Sequence, residues 1–176
     1  MRYVMKFSVL YGEDGREMLA KIKNSVVGPV RKVYSGEEVL RLQTDIHYLN
    51  MQKEYCEDVR NKKYIMTNSA GKVIGMGRPG YAKDDNPDKT GWPAFRVPKA
   101  DHAELMLEEQ KYLLNMHNGQ NYILRNTKGD EVLSIMHKGI SGGWIFDDRQ
   151  GFPPEILCGV FIFCRYIEQE NELLIV

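Results

Sequence analysis

Pro153-Pro154-Glu155-Ile156-Leu157-Cys158-Gly159-Val160-Phe161-Ile162-Phe163-Cys164-Arg165-Tyr166-Ile167 holds nine consecutive apolar residues, Ile156 to Cys164. The two prolines ahead of them suit a helix start, where a missing backbone N–H goes unnoticed. At about 100° per residue, nine apolar residues sweep every face of a helix, and a helix apolar all round needs burial all round. The run is shorter than the roughly 20 residues of a membrane-spanning helix, and Arg165 and Glu168 close it off. The expectation is a core helix over about 153–168, enclosed by the rest of the chain.

Outward from that helix, 176 residues suit one domain with a proper core, and no linker composition interrupts them. The domain expectation is therefore a single unit over 1–176. Lys+Arg and Asp+Glu both number 24, which argues against nucleic acid as partner, because such binders are usually basic. Met1 to Lys6 is too short and too interrupted for a signal peptide, and no segment is apolar enough to be transmembrane. Cys158 and Cys164 lie six apart, about 9 Å along a helix and beyond disulfide reach. Buried, reduced thiols in a cytoplasmic protein are expected.

In chain order, residues 7–22 read as a hairpin. Phe7, Val9 and Tyr11 alternate with their neighbours, Gly12-Glu13-Asp14-Gly15 turns, and Met18, Ala20 and Ile22 alternate back. Val30 to Tyr34 is another β-rich piece. The stretch 37–60 is two-sided. Ser35 and Glu38 have capping-box spacing, and Val39, Leu42, Ile46, Leu49, Cys56 and Val59 follow a helical rhythm, yet 39–46 also pairs as a strand after Ser35-Gly36. Periodicity favours helix. The stretch 101–115 carries the same ambiguity, and Asn118-Gly119 between Tyr112-Leu113-Leu114 and Tyr122-Ile123-Leu124 is a hairpin turn signal.

An internal similarity runs through the second half. Tyr64-Ile65-Met66-Thr67-Asn68-Ser69-Ala70-Gly71 resembles Tyr122-Ile123-Leu124-Arg125-Asn126-Thr127-Lys128-Gly129, and Trp144 to Gly151 is a looser third copy. Each starts on an aromatic, with Asn or Asp four residues on and Gly at seven, as a strand entering a tight turn requires. Return strands are expected at 72–76 and 131–137, whereas the third copy leads into the helix.

With these three units and the apolar helix at 154–167, the chain resembles a bacterial member of the tubby C-terminal-like superfamily, which includes LURP-one-related proteins and phospholipid scramblases. The resemblance implies a mainly β fold: a closed antiparallel β-barrel around a buried hydrophobic C-terminal helix. The alternative is α+β. It turns 39–46 and 103–108 into strands, against their helical rhythm. It implies no catalytic residues. Family roles run from phosphoinositide binding to membrane tethering, but the basic residues of tubby-type phosphoinositide sites have no counterpart here.

Three motifs suggest chemistry and fail on context. Gly75-Met76-Gly77-Arg78-Pro79-Gly80 fits a dinucleotide fingerprint, but a polar loop follows it where a helix is needed, so it reads as a bulge or strand exit. Gly139-Ile140-Ser141-Gly142-Gly143 fits a hydrolase elbow, yet every histidine precedes it and Trp144 begins a strand. Asp84, Asn86 and Asp88 begin like a calcium loop that lacks its glycine and closing glutamate. No catalytic residue, metal ligand or cofactor is expected. The candidate anionic-surface contact is Arg60, Lys62 and Lys63, on a turn that holds their heads outward. The functional expectation is a non-enzymatic binding or scaffold domain for an unknown protein partner or an anionic lipid headgroup. The alternative is an enzyme of small-molecule metabolism with a site at the barrel mouth.

Overall fold

Among the described residues, twelve strands follow one another around a closed antiparallel barrel. The structure is a computed structural model describing residues 1–24, 30–36, 49–54, 62–82, 99–117, 120–139 and 142–171. The strands are β1 (Arg2–Lys6), β2 (Val9–Tyr11), β3 (Met18–Asn24), β4 (Arg31–Ser35), β5 (Leu49–Glu54) and β6 (Lys63–Asn68). They continue as β7 (Val73–Tyr81), β8 (Ala100–Leu107), β9 (Gln110–His117), β10 (Asn121–Asn126), β11 (Glu131–His137) and β12 (Trp144–Asp148). Each pairs with its sequence neighbours, and β1 closes on β12 through Arg2↔Asp147 to Met5↔Trp144. Closure leaves no edge strand among those described.

The helix α1 (Pro154–Glu170) fills this barrel, and twelve of its seventeen residues are buried. One stripe, Gly159, Phe163, Tyr166 and Glu170, faces β5 and β6, with the Phe163 and Tyr166 rings 5.8 and 5.2 Å from that of Tyr64. The opposite side carries Phe161, whose ring lies 4.9 Å from Trp144 and 5.8 Å from Phe146 on β12. Gly159 faces β6, where a Cβ would lie 3.2 Å from Met66 Sδ and would displace that side chain's terminal methyl. All-round hydrophobicity is thus answered by all-round enclosure.

The three repeats form three copies of one strand exit. Asn68 Oδ1 accepts the N–H groups of Ala70 (3.0 Å) and Lys72 (2.9 Å). Asn126 Oδ1 accepts those of Lys128 (2.9 Å) and Asp130 (3.0 Å). Asp148 accepts three, from Gln150 (2.9 Å), Gly151 (3.0 Å) and Phe152 (2.8 Å). Gly71, Gly129 and Gly151 supply the positive φ (81°, 88° and 79°) that closes each turn. The first two lead to β7 and β11, the third to α1.

The helical rhythms are overturned wherever they are described. Residues 49–54, 100–107 and 110–117 are strands. On β5 the inward positions are Leu49, Met51 and Lys53, and the lysine hides the period-two alternation. Between β8 and β9 the Glu108-Glu109 turn shifts the phase, so apolar residues at 103, 105, 107, 112 and 114 mimic a broken helical spacing. Residues 39–46 lie outside the described residues, as do Cys56, Val59 and 118–119, although β9 and β10 do pair across the latter (His117↔Asn121).

The first hairpin also needs correcting. Phe7 is in a turn at φ 57°, 97% exposed, instead of opening a strand, and Leu10 takes the inward position against Ala20. Gly75 and Gly77 lie inside β7, where a Cβ on Gly77 would meet Leu105 at 2.9 Å and Tyr64 at 3.1 Å. A register shift does occur at Gly80/Tyr81, so the bulge reading of that glycine run holds and the fingerprint reading does not. Strand β12 follows Gly143, so 139–143 lacks the strand-to-helix geometry of an elbow.

Candidate functional site

At the barrel rim reached by the C-terminal end of α1, basic side chains converge. Strands β5 and β6 pair as Lys53↔Tyr64 and Glu54↔Lys63. Lys53 inherits the inward parity of Leu49 and Met51, and Lys62 that of Tyr64 and Met66. Both ammoniums meet the Glu170 carboxylate, Lys62 at 2.5 Å and Lys53 in close contact, and the carboxylate side chain is 3% exposed. The Tyr64 hydroxyl donates to Glu170 Oε1 at 3.4 Å. A carboxylate at the negative end of the helix dipole needs such compensation. The Arg31 guanidinium lies 5.3 Å from the centre of the Tyr166 ring, so Arg31 joins Lys53 and Lys62 as a third cation at this end of α1.

Burial, and then the charge of Glu170, pushes the Tyr64 phenol well above its ordinary value. Burial likewise pushes Tyr122 up, and its hydroxyl reaches Glu168 at 3.3 Å. The Cys158 and Cys164 thiols are raised by burial as well, which keeps them protonated. These groups fit a packed core better than nucleophilic chemistry.

A second feature lies on the outer wall at the opposite rim, a groove of about 740 Å³ across β7 to β10. Its cross-strand row runs Arg78↔Glu104↔Leu113↔Arg125, and the adjoining row Met76↔Met106↔Lys111. Met106 and Leu113 are 40% and 37% exposed. Arg78, Glu104, Lys111 and Arg125 make no ion pair among the described residues.

The candidates named from the sequence separate. Arg60 lies outside the described residues, as do Asp84, Asn86 and Asp88. Lys63 is the first residue of β6, on its outward parity, whereas Lys62 turns inward to Glu170. The signal was legible, since Lys62 is two residues from the core aromatic Tyr64. The groove was not, because its rows come from four strands. Among the described residues no group of three or more His, Cys, Asp or Glu side chains is placed to hold a metal ion, and no helix is long and apolar enough to cross a membrane. Comparison of the chain with protein-family models, curated proteins and solved structures finds no match.

Proposed function

We propose that this chain is a non-catalytic binding domain of the tubby C-terminal-like kind, working through its outer surface. The observation that carries this is the filled interior. Side chains of α1 occupy the volume that a ligand-carrying barrel leaves open, with Leu157, Val160, Ile162 and Phe163 fully buried. That supports a binding role over an enzyme with its site inside the barrel mouth. The enclosed C-terminal helix also supports the tubby-like reading, which implied it.

The partner is anionic, a protein or a phospholipid surface contacted at the rim bearing Arg31, Lys53, Lys62 and Lys63. Near an anionic leaflet each basic residue contributes about 1 kcal/mol, and with Lys53 and Lys62 engaged by Glu170 the attraction is weak. Two measurements test the proposal. Native mass spectrometry of the purified protein is expected to give the bare chain mass, and a stoichiometric apolar ligand retained in the barrel would overturn the filled-interior reading. Sedimentation with phosphatidylserine-containing vesicles is expected to show binding at low salt that is lost near physiological ionic strength. Absence of binding at low salt assigns the contact to a protein.

A further inference from the structure

Among the described residues the closed barrel has no free strand edge, so a partner cannot add a strand to β7–β10 and must be read through side chains. On that outer wall Arg78 and Arg125 stand at the two ends of one cross-strand row, three strand spacings or about 14 Å apart. Leu113 lies within the row, and Met76 and Met106 extend its apolar floor. An α-helix about 10 Å across fits between the two arginines. Methionines make an adaptable surface for such a helix.

The charge pattern selects the helix. Three cations, Arg78, Lys111 and Arg125, border the groove against one acid, Glu104. The acid opposite Arg125, Glu131, is taken by Arg149 at 3.2 Å. By contrast, Arg2 is paired with Asp147 at 2.8 Å and Lys62 with Glu170. Among the described residues the groove therefore combines exposed apolar side chains with an excess of positive charge. We infer that the β7–β10 groove docks an acidic amphipathic helix of a partner protein, its apolar face on Met76, Met106 and Leu113 and its carboxylates on the flanking cations. This rests on the reading of the chain as an outer-surface binding domain, and it adds a second contact surface on a different wall from the rim.

The test uses the full chain and a fluorescein-labelled amphipathic peptide of about 18 residues, long enough to hold helical structure. One face of the peptide is leucine and its flanks are glutamate; a second peptide carries lysine in place of glutamate. Anisotropy is expected to show saturable binding of the acidic peptide only. Met106→Asp with Leu113→Asp, and separately Arg78→Glu with Arg125→Glu, are expected to weaken it at least about tenfold, and the second pair to gain affinity for the lysine peptide. All four positions point outward, and an unchanged thermal transition verifies folding. The inference is overturned by failure of the acidic peptide to bind at about 100 μM, a concentration that detects even weak docking. Affinity unchanged in both double variants also overturns it. If Arg78→Glu with Arg125→Glu abolishes vesicle binding and leaves peptide binding intact, the groove belongs to a membrane contact and the inference falls. A ligand retained inside the barrel would sink the broader binding-domain reading without altering these peptide results, so the two failures are distinguishable.

Discussion

The two ends of α1 are held in different ways. At its start, Asp148 gathers the backbone N–H groups of Gln150, Gly151 and Phe152, all within four residues of itself. At its end, Glu170 meets Lys62 and Tyr64, 108 and 106 residues away in sequence. There too the Asn171 side-chain amide pairs with Ala100 as a neighbouring strand would, receiving its N–H and donating to its carbonyl, both at 2.8 Å. One end is a local turn that any short peptide with the same residues would favour. The other exists only once the barrel has closed. Local anchors depend on nearby backbone, whereas remote anchors join buried charges whose removal leaves a partner stranded.

The largest effect is expected at the remote end. Glu170→Ala leaves the buried Lys53 ammonium without that carboxylate and is expected to lower stability by about 3–5 kcal/mol, read by chemical denaturation. Glu170→Gln is expected to recover part of the loss. Asp148→Ala removes one acceptor serving three N–H groups beside partly solvated backbone, and is expected to lower stability by about 2 kcal/mol. If Asp148→Ala proves the more damaging, the remote end is not the stronger anchor and the comparison is reversed.

Alkaline pH sharpens the contrast further. Tyr64 and Tyr122, hydrogen-bonded to Glu170 and Glu168, have folded values raised above the ordinary 10.0, chiefly by burial. The folded chain then holds protons that the unfolded chain releases. Their contribution is complete below pH 10 and falls as pH rises above it, by about 1.4 kcal/mol per pH unit for each phenol. Tyr64→Phe is expected to flatten that slope, and a denaturation midpoint unchanged up to about pH 11 would contradict the buried-phenol argument. The smallest effect is a gain. At the Asp148 end, Glu108 and Glu109 turn the chain at φ 46° and 70°, a two-residue hairpin turn that prefers Asn-Gly. Glu108→Asn with Glu109→Gly is expected to stabilise by about 1 kcal/mol, visible as a melting temperature higher by about 2–4 °C.

Much of the architecture was legible because it is local. The helix was read over about 153–168 and spans 154–170, since nine apolar residues after two prolines leave few alternatives. The turns after Tyr64, Tyr122 and Trp144 were read from an amide or carboxylate at one fixed offset and a glycine at another, and both work as the sequence suggested. The strands at 49–54, 100–107 and 110–117 were obscured for a physical reason. Period two is visible only where inward positions are apolar and the phase is unbroken. Lys53 breaks the first condition, and the Glu108-Glu109 turn breaks the second.

The candidate surfaces divide the same way. Parity along β6 already carried the information that Lys62 shares a face with Tyr64, although the opposite charge that draws it inward lies on α1. The row Arg78–Glu104–Leu113–Arg125 has no sequence signature, because its members belong to four strands and become neighbours only through register. By itself the sequence determined a buried helix, three turns of one design and a chain without net charge, since each depends on composition or on residues a few positions apart. Tertiary structure alone decided which cation meets Glu170 and which side chains share the outer groove, because those depend on barrel closure, which brings distant residues within reach of a side chain.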